Sequence, residues 1–523
     1  MRIYWLKLPN FRNLKNFEID FDETQPTTVI LGRNGSGKSN LIEVLVEIFR
    51  DLEEGKPSKF AYHIKYLCHN RKIEVANDPK ARKRQQFQVD GVGLSREEFE
   101  TLKVEVLPKH VFAYYSGWNR RLESGFDDPT RKLYREWLNN EDGEIPLRRL
   151  FYCRKEYSQL VLLAFFLSKK KSAKDLLSKY LFIEDFDSAL FVLKKPYWRE
   201  SKKPNAFERE HGDERFWFAR GAFKHFLDRL WDCSLAPILI EESVDRDIRR
   251  PPQPTERLYL YIKNLTQLVS LSGVETPKEF FGLLESLFLS DLIDEVRVSV
   301  HHSRAGRIRF EQLSEGEQQL LTVLGLMLFT KQDESLFLLD EPDTHLNPSW
   351  IYKYYDLLEE NFPKNDSQLL IATHNPLMIG GLRKNQVRLF SEEVNGEGSL
   401  KTFALELEDD PIGMGVDGLL TSDIYGLTSV LPREVLEKLK DRNRLFALEK
   451  RSKKQEEKMS QLSEELSRLG MLRSYLDPYE EAFVKAMARR HTMEQQVLSP
   501  DQIKARNETA DEVLEEIFSR EMV

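Results

Sequence analysis

The stretch Gly32-Arg33-Asn34-Gly35-Ser36-Gly37-Lys38-Ser39 decides how this chain folds. It follows the apolar run Thr28 to Leu31 and precedes the apolar run Leu41 to Val46, so a strand, a glycine-rich loop and a helix are predicted in that order. Such a loop curls its amides around an anion, and the helix N-terminus adds partial positive charge there. The expected ligand is a nucleoside triphosphate, with Lys38 at its phosphates and Ser39 on Mg²⁺. The alternative is a chance match in an ordinary loop.

Three further segments with candidate functional residues lie far downstream of this loop. They are Leu313-Ser314-Glu315-Gly316-Glu317-Gln318 before an apolar run, Leu336 to Pro342 with Asp340 and Glu341 at its end, and Leu369 to His374. The first predicts a second anion-binding helix start. The second predicts a buried strand that ends in two carboxylates, of which one can bind Mg²⁺ and the other can take a proton from water. The third predicts a buried strand that ends in a histidine, which in isolation would more often be a hydrogen-bonded core residue.

The ordered set of motifs resembles the ABC-type ATPase head. The sequence from Asp340 to Pro348 is similar to that of SMC and RecF-type DNA-repair proteins and their AAA-like relatives in bacterial defence. The resemblance implies an α/β P-loop NTPase head with a mixed β-sheet and flanking helices, which uses ATP and Mg²⁺. The implied catalytic residues are Lys38, Glu341 as general base and His374 as the switch residue, and the implied metal ligands are Ser39 and Asp340. The implied nucleotide-binding residues are Arg12, Arg33, Asn34, Gly35, Ser36, Gly37, Lys38, Ser39, Asn40, Ser314, Gly316 and Glu317.

The same resemblance implies an assembly and also shows where this chain departs from the pattern. Ser314 and Gly316 would act in trans on the nucleotide of a second subunit, so a homodimer is expected and a larger oligomer is left open. Arg12 is a candidate for phosphate or adenine contact, with a solvated turn arginine as the open alternative. Ser116-Gly117 stands where relatives usually carry Gln-Gly, so the residue that senses Mg²⁺ there is not identified. Asn347 falls where many relatives have an aspartate.

Composition limits the classes of partner and compartment. The net charge of −8 makes a globally basic nucleic-acid coat unsuitable, so DNA would have to bind a local patch. One candidate is the cluster of Lys80, Arg82, Lys83 and Arg84, for which a solvated loop is the open alternative. The three cysteines are isolated in sequence, which indicates neither disulfides nor a zinc site and fits a reducing cytoplasm. The apolar runs are too short to span a bilayer, so a cytoplasmic protein without a membrane partner is expected.

Hydrophobic periodicity together with the resemblance to the ABC-type head divides the chain into four regions. They are 1–116, an N-terminal ATPase lobe with a β-subdomain; 117–295, a helical insertion; 296–410, the C-terminal ATPase lobe; and 411–523, a C-terminal helical region for a partner or for assembly. Short strands are predicted from Ala61 to His69, Arg71 to Val75, Gln86 to Val89 and Lys103 to Val106. Helical segments of the insertion are predicted from Leu147 to Ser168, Ala173 to Phe182, Phe186 to Leu193, Phe216 to Trp231 and Arg257 to Leu271. Tail helices are predicted from Pro432 to Leu472, Asp477 to about Met487, and Asp511 to Phe518.

The tail narrows the resemblance and the functional hypotheses. Leu419 to Gly426 and the helices after it are similar to the ATPase subunits of Septu-type antiphage systems, some of which travel with retrons. This resemblance implies an ATPase that senses or binds nucleic acid, with retron-derived DNA as one candidate, and that controls a separate nuclease subunit, with an HNH nuclease suspected. One alternative is a RecF-like DNA-repair ATPase. A nuclease in its own right is disfavoured, because no HNH, Toprim or similar constellation is found in the sequence.

Overall fold

A computed structural model describes most of the chain. The described residues are 1–117, 120–130, 132, 149–200, 203–244, 253–273, 276–329, 334–362, 367–394, 400–427, 429–448, 450–469, 483–484, 486–487, 490 and 500–519. They form two compact units, of which the first comprises residues 1–31 and 37–378 and the second comprises residues 32–36 and 379–523. The four domain boundaries predicted from the sequence stay predictions.

The described residues contain 18 strands, which pair into three sheets. They are β1 (Arg2–Phe11), β2 (Leu14–Asp20), β3 (Thr27–Gly32), β4 (Tyr62–Cys68), β5 (Arg71–Asn77), β6 (Gln85–Val89), β7 (Val92–Leu94), β8 (His110–Tyr115), β9 (Leu150–Tyr152), β10 (Ile183–Lys194), β11 (Ile238–Val244), β12 (Gln253–Ile262), β13 (Ile293–His302), β14 (Gly306–Arg309), β15 (Ser335–Asp340), β16 (Gln368–Thr373), β17 (Val387–Val394) and β18 (Leu400–Glu406).

Helices connect and cover these strands. They are α1 (Lys38–Glu53), α2 (Arg96–Thr101), α3 (Lys103–Val106), α4 (Arg121–Ser124), α5 (Tyr157–Phe166), α6 (Lys171–Asp175) with a π-helical turn at Leu176–Tyr180, α7 (Tyr197–Glu200), α8 (Ala206–His211), α9 (Lys224–Cys233), α10 (Leu265–Ser272), α11 (Pro277–Leu289), α12 (Glu315–Phe329), α13 (Pro348–Asn361), α14 (Gly415–Thr421), α15 (Arg433–Phe446), α16 (Lys453–Arg468) and α17 (Pro500–Ser519).

A parallel sheet forms the core of the first unit. Its strands lie in the order β3, β16, β15, β8 and β9, and each neighbouring pair is parallel. Every residue of β15 and β16 is buried, as expected for strands covered on both faces. The α/β class predicted from the sequence, with a sheet flanked by helices, is confirmed.

An antiparallel sheet accompanies this core, in the order β2, β1, β4, β5, β6 and β7. Three of the short strands predicted for this region are confirmed, as β4, β5 and β6. The fourth prediction is wrong, because Lys103–Val106 is the short helix α3. The capping box of Ser95 and Glu98 starts helix α2, and the chain stays helical as the Val106 amide donates to Leu102. Four alternating residues were too few to distinguish a strand from a helical turn.

A second antiparallel sheet, three of whose five strands lie in the insertion, corrects the prediction of a helical subdomain. Its strands lie in the order β11, β12, β10, β13 and β14. Phe186 to Leu193 lies in the central strand β10, and the segment from Arg257 begins as strand β12 before helix α10. Strand β10 is bonded on both edges and largely buried, so its apolar residues do not alternate cleanly and resemble a buried helix. Leu150–Tyr152 is also a strand, β9, and the predicted helix of this region begins at Tyr157.

The second unit combines a strand pair with tail helices. Strands β17 and β18 pair in antiparallel orientation, and α15 and α16 are linked by ion pairs from Lys438 to Glu465 and from Lys458 to Asp441. The predicted helix from Asp511 lies inside the longer α17. The predicted helix from Asp477 to about Met487 lies mostly outside the described residues. Within the described ranges, no helix has the length and apolar character needed to cross a membrane.

The contact between α12 and α5 gives a test of core packing. A Cβ atom at Gly325 would lie 2.2 Å from Val161 Cγ1 and 3.2 Å from Phe165 Cε2. We expect Gly325→Ala to lower the free energy of unfolding by about 1–3 kcal/mol, because overpacking opposes the helix propensity of alanine. Urea unfolding measures the change. Gly93→Ala is the control, since a Cβ there meets no atom within 4 Å. Equal stability of the two variants would contradict the tight packing at Gly325.

Candidate nucleotide-binding site

The parallel register brings the ends of four strands to one edge of the sheet. Leu31 of β3 lies beside Thr373 of β16, and Ala372 lies beside Asp340 of β15. Asp340 in turn lies beside Tyr115 of β8. Each segment that follows these strands therefore starts at this edge, as ligand-binding segments do in open α/β sheets.

Glycines shape the phosphate-binding loop, residues 32–39. Gly35 and Gly37 have φ angles of 90° and 100°, which residues with a side chain rarely adopt. A Cβ at Gly37 would also lie 2.8 Å from Leu14 Cδ2 and 2.9 Å from Asn13 Oδ1. Helix α1 begins at Lys38, with Gly37 as its N-cap residue. The loop therefore has the backbone conformation and the helix start that an anion site requires.

Lys38 and Asp340 are charged groups placed in the protein interior. Both are buried, with 5% and 2% of their surface exposed. Burial lowers the pKa of Lys38, against the opposing effect of the Glu341 and Asp340 carboxylates. Burial raises the pKa of Asp340 to about 7, although a hydrogen bond with Ser39 and the charge of Lys38 lower it. Such perturbed groups at a sheet edge are typical of a functional site.

The residues present fit a bound Mg²⁺ ion. The Oδ1 atom of Asp340 is buried and has no hydrogen-bond partner among the described residues. The Ser39 side chain lies near the same carboxyl group and lowers its pKa. A carboxylate and a hydroxyl are hard oxygen ligands of the kind that Mg²⁺ prefers. The Ser36 hydroxyl is a second buried atom without a partner in the described part of the chain.

Glu341 and His374, which are predicted as general base and switch residue, contact each other in the structure. His374 Nδ1 lies 3.1 Å from Glu341 Oε1. The Glu341 backbone has a φ of 51°, and its amide donates to Ala372 O at 2.8 Å, which fixes the residue just beyond the strand. Sequence reasoning missed the next carboxylate, Asp343, which is buried and accepts a hydrogen bond of 3.0 Å from Thr373 Oγ1. That bond ties the ends of β15 and β16 together.

The departure at Ser116 has a structural counterpart. The Ser116 amide donates to Asp340 O at 3.3 Å. Its hydroxyl lies 3.0 Å from Thr344 Oγ1, in the segment that follows Glu341. A residue other than glutamine therefore links the end of β8 to the carboxylate segment.

The Arg12 side chain is bound to helix α1 and is not simply solvated. Its guanidinium forms an ion pair with Glu43 of α1, including an Nη1 to Oε2 bond of 2.6 Å, and it donates to Asn40 Oδ1 at 3.3 Å. Arg121, which sequence reasoning missed, donates to the same Asn40 and Glu43 oxygens at 2.6 and 2.7 Å. Burial raises the pKa of Glu43, and Arg12 opposes that shift.

The predicted signature residues lie at the start of α12. The Ser314 amide and hydroxyl both donate to Glu317 Oε2 at 2.8 Å, and the Glu317 amide donates back to Ser314 Oγ at 3.3 Å. A Cβ at Gly316 would lie 2.7 Å from the His345 carbonyl oxygen, so the segment after β15 packs directly on this glycine. Asn347, at the expected aspartate position, is the N-cap of α13 and accepts from Trp350 N at 3.0 Å.

The structure thus brings one part of the predicted set together. Lys38, Ser39, Asp340, Glu341 and His374 interact with one another at the sheet edge. Arg33, Asn34 and Gly35 are exposed in the loop, and Ser314 is exposed at a different helix start. The roles of all these residues stay predictions.

Comparison with known proteins identifies the family. Residues 27–380 match the AAA_21 family, described as "AAA domain, putative AbiEii toxin, Type IV TA system". This chain belongs to the AAA_21 family. The match covers the phosphate-binding loop, the signature segment and the strands that end at Asp340 and Thr373.

Individual relatives of this AAA_21 chain match shorter segments. The Septu protein PtuA of Bacillus mycoides (strain KBAB4) is 30% identical over 197 residues, which cover 35% of this chain and 27% of the relative. The "Retron Vc95 probable ATPase" of Vibrio cholerae serotype O1 biovar El Tor is 28% identical over 123 residues, which cover 20% of this chain and 23% of the relative. The matched segments therefore span about a quarter of these relatives' length. The matches confirm the resemblance to Septu and retron ATPases as distant homology.

One solved structure that aligns with this chain is the Smc head bound to the C-winged helix domain of ScpA. It is 15% identical, with a TM-score of 0.34, and the alignment covers 78% of this chain and 98% of that chain.

The burial of Asp340 predicts a pH-dependent stability difference. Its pKa is raised to about 7 in the folded protein from an ordinary value of 3.8. The folded state therefore retains a proton that the unfolded state releases, so stability falls as pH rises between these values and stays reduced above about 7. We expect Asp340→Asn to raise the thermal midpoint of the nucleotide-free protein at about pH 8 and to raise it less at about pH 5.5.

Thermal unfolding at the two pH values measures this difference. Asp356→Asn, at an exposed position of α13, is the control and should leave the midpoint unchanged at both pH values. A larger gain for Asp340→Asn at the lower pH would contradict the raised pKa.

Proposed function

We propose that this chain is an ATPase that binds ATP with Mg²⁺ at the edge of its parallel sheet and hydrolyses it. The observation that carries the proposal is the convergence of buried Lys38, buried Asp340 and the hydrogen-bonded pair of Glu341 and His374 beside the phosphate-binding loop. Membership of the AAA_21 family supports it.

The chain's own residues have distinct tasks in this proposal. The loop amides and Lys38 bind the phosphates, and Lys38 also balances the two carboxylates near it. Ser39 and Asp340 hold Mg²⁺, which when bound neutralises phosphate charge. Glu341 takes the proton of the attacking water, and the His374 contact of 3.1 Å holds its carboxylate in place.

Two substitutions separate phosphate binding from proton transfer. Glu341→Gln removes the base but keeps the shape of the side chain, so ATP should still bind while kcat falls by about a hundredfold or more. Lys38→Ala removes the phosphate ligand and should abolish ATP binding. Phosphate release measures the rate, and calorimetry with ATP and Mg²⁺ measures binding. Glu360→Gln, an exposed position on α13, is the control and should retain the full rate. Wild-type turnover by Glu341→Gln would show that Glu341 is not the base.

The start of α12 supports a homodimer in which the signature residues act in trans. Ser314 is exposed at the N-terminus of this helix, where partial positive charge is available to an anion from outside the chain. Buried Gly316 keeps the helix start close to the segment after β15. A second subunit's nucleotide would meet Ser314 there.

The connection between β5 and β6 supports a nucleic-acid contact. Lys80, Arg82, Lys83 and Arg84 are all exposed, and none of them forms an ion pair with a described residue. Lys83 and Arg84 also line a groove of about 270 Å³ together with Lys7 and His63. Such cations beside a groove suit the phosphates of DNA, and retron-derived DNA is one source of them.

Replacing these four cations with glutamine tests the contact. We expect weaker DNA binding for every sequence, and the dependence of log K on log salt should become shallower by roughly one unit for each phosphate that is no longer bound. Fluorescence anisotropy at several salt concentrations measures both. A matched control replaces the exposed Lys169, Lys170, Lys171 and Lys174, which changes the net charge equally. The same weakening in both variants would show that only net charge matters.

The tail supports docking of a separate nuclease subunit. Several apolar side chains of the second unit are exposed, among them Leu469 at 58% and Ile412 at 53%. Most apolar residues of α15 and α16 are only partly buried within this chain. A protein partner would cover them, whereas the mixed charges of these helices do not suit DNA. Together with the homology to Septu and retron ATPases, this favours an ATPase of antiphage defence over a repair ATPase. In this proposal the ATPase controls a separate nuclease of the HNH class.

A further inference from the structure

One buried carboxylate near the candidate site has two arginine partners. Glu43 lies on α1 four residues after Ser39, so both side chains are on the same face of the helix. The Glu43 side chain is only 9% exposed. A buried carboxylate needs an opposite charge, because removing its partner leaves the charge uncompensated.

The two arginines come from different segments. Arg12 lies in the turn between β1 and β2, and Arg121 begins the short helix α4. Arg12 contacts both carboxylate oxygens of Glu43, whereas Arg121 donates to Oε2 at 2.7 Å. Asn40, the residue next to Ser39, accepts from both arginines and donates to Asn13 Oδ1 at 2.6 Å. The cluster thus adjoins the Mg²⁺-binding end of α1.

Because Glu43 has two arginine partners, Arg12 can leave it at a small cost in free energy. Had Arg12 been the single cation on Glu43, moving it to a phosphate would leave a bare carboxylate in the interior. With Arg121 in place, Glu43 keeps a charge-assisted hydrogen bond after Arg12 has left. The Arg12 side chain is 39% exposed, so it has room to move.

We propose that Arg121 is a positioning residue, which neutralises Glu43 and thereby releases Arg12 to a phosphate of the bound nucleotide. The inference rests on the proposed ATP-binding function. In it Arg121 acts through Glu43 and does not itself touch the nucleotide.

A double-mutant cycle on the full chain tests this role. Arg121→Gln should hold Arg12 on Glu43 and raise the Kd for ATP with Mg²⁺ by roughly tenfold, the loss of about one charge-assisted bond. Adding Glu43→Gln should restore the Kd to within about twofold of the wild type, because an uncharged residue no longer retains Arg12. Arg121→Lys keeps the charge and should bind ATP as the wild type does. Isothermal titration calorimetry with ATP and Mg²⁺ measures all the variants.

Arg120→Gln is the matched control. Arg120 precedes Arg121, is well exposed and pairs with Glu123, so this variant should keep the wild-type Kd. Glu43→Gln alone provides a second test that does not depend on how Arg121→Gln folds. It should bind ATP at least as tightly as the wild type.

The outcomes separate this inference from the proposed function. Failure of the wild-type protein to bind ATP would overturn the proposed function. Wild-type binding with an unchanged Kd for Arg121→Gln would overturn the inference alone. The inference would also be overturned if the double variant Glu43→Gln with Arg121→Gln bound ATP as weakly as the single variant Arg121→Gln. Arg121 would then contact the nucleotide directly. Weaker binding by Glu43→Gln alone would also overturn it.

Discussion

The parallel pairing of β3, β16, β15 and β8 is the constraint on which the rest of the structure depends. Residues paired in register at the strand ends are neighbours regardless of their separation in sequence, as with Asp340 beside Tyr115 and Leu31 beside Thr373. The phosphate-binding loop, the carboxylate segment and His374 all follow directly from these ends. A shift of one residue in this pairing would turn every side chain of a strand to the other face. The register therefore positions the site, and the buried apolar strands maintain the register.

The site contains groups that are unfavourable in a protein interior. Asp340 is buried with one oxygen unpartnered among the described residues, Lys38 is buried nearby, and Glu341 has a positive φ. Each of these features costs stability in the nucleotide-free protein. Each also suits a ligand that carries Mg²⁺ and phosphates, because the ion can use the free oxygen and the phosphates can pair with the lysine. The surrounding apolar core offsets the cost, as is common at functional sites.

Regions away from the sheet edge have architectures of their own. The insertion contributes β10, β11 and β12 to an antiparallel sheet, and the second unit carries helices whose apolar side chains are partly exposed. The matched segments of the Septu and retron relatives cover no more than 35% of the chain, whereas the family match extends from residue 27 to residue 380.

The sequence by itself determined the class of fold and the main candidate site. Glycines and lysine at fixed spacing, a strand that ends at Asp340 and a strand that ends just before His374 are local patterns. The identity of each side chain and its place near a strand end could therefore be read directly. Only the tertiary structure decided which distant residues meet. It paired Glu43 with Arg12 and Arg121, placed Ser116 against Thr344, and made β10 a central strand where a helix was predicted. These features depend on long-range pairing and burial. The periodicity of a short apolar segment carries no information about either.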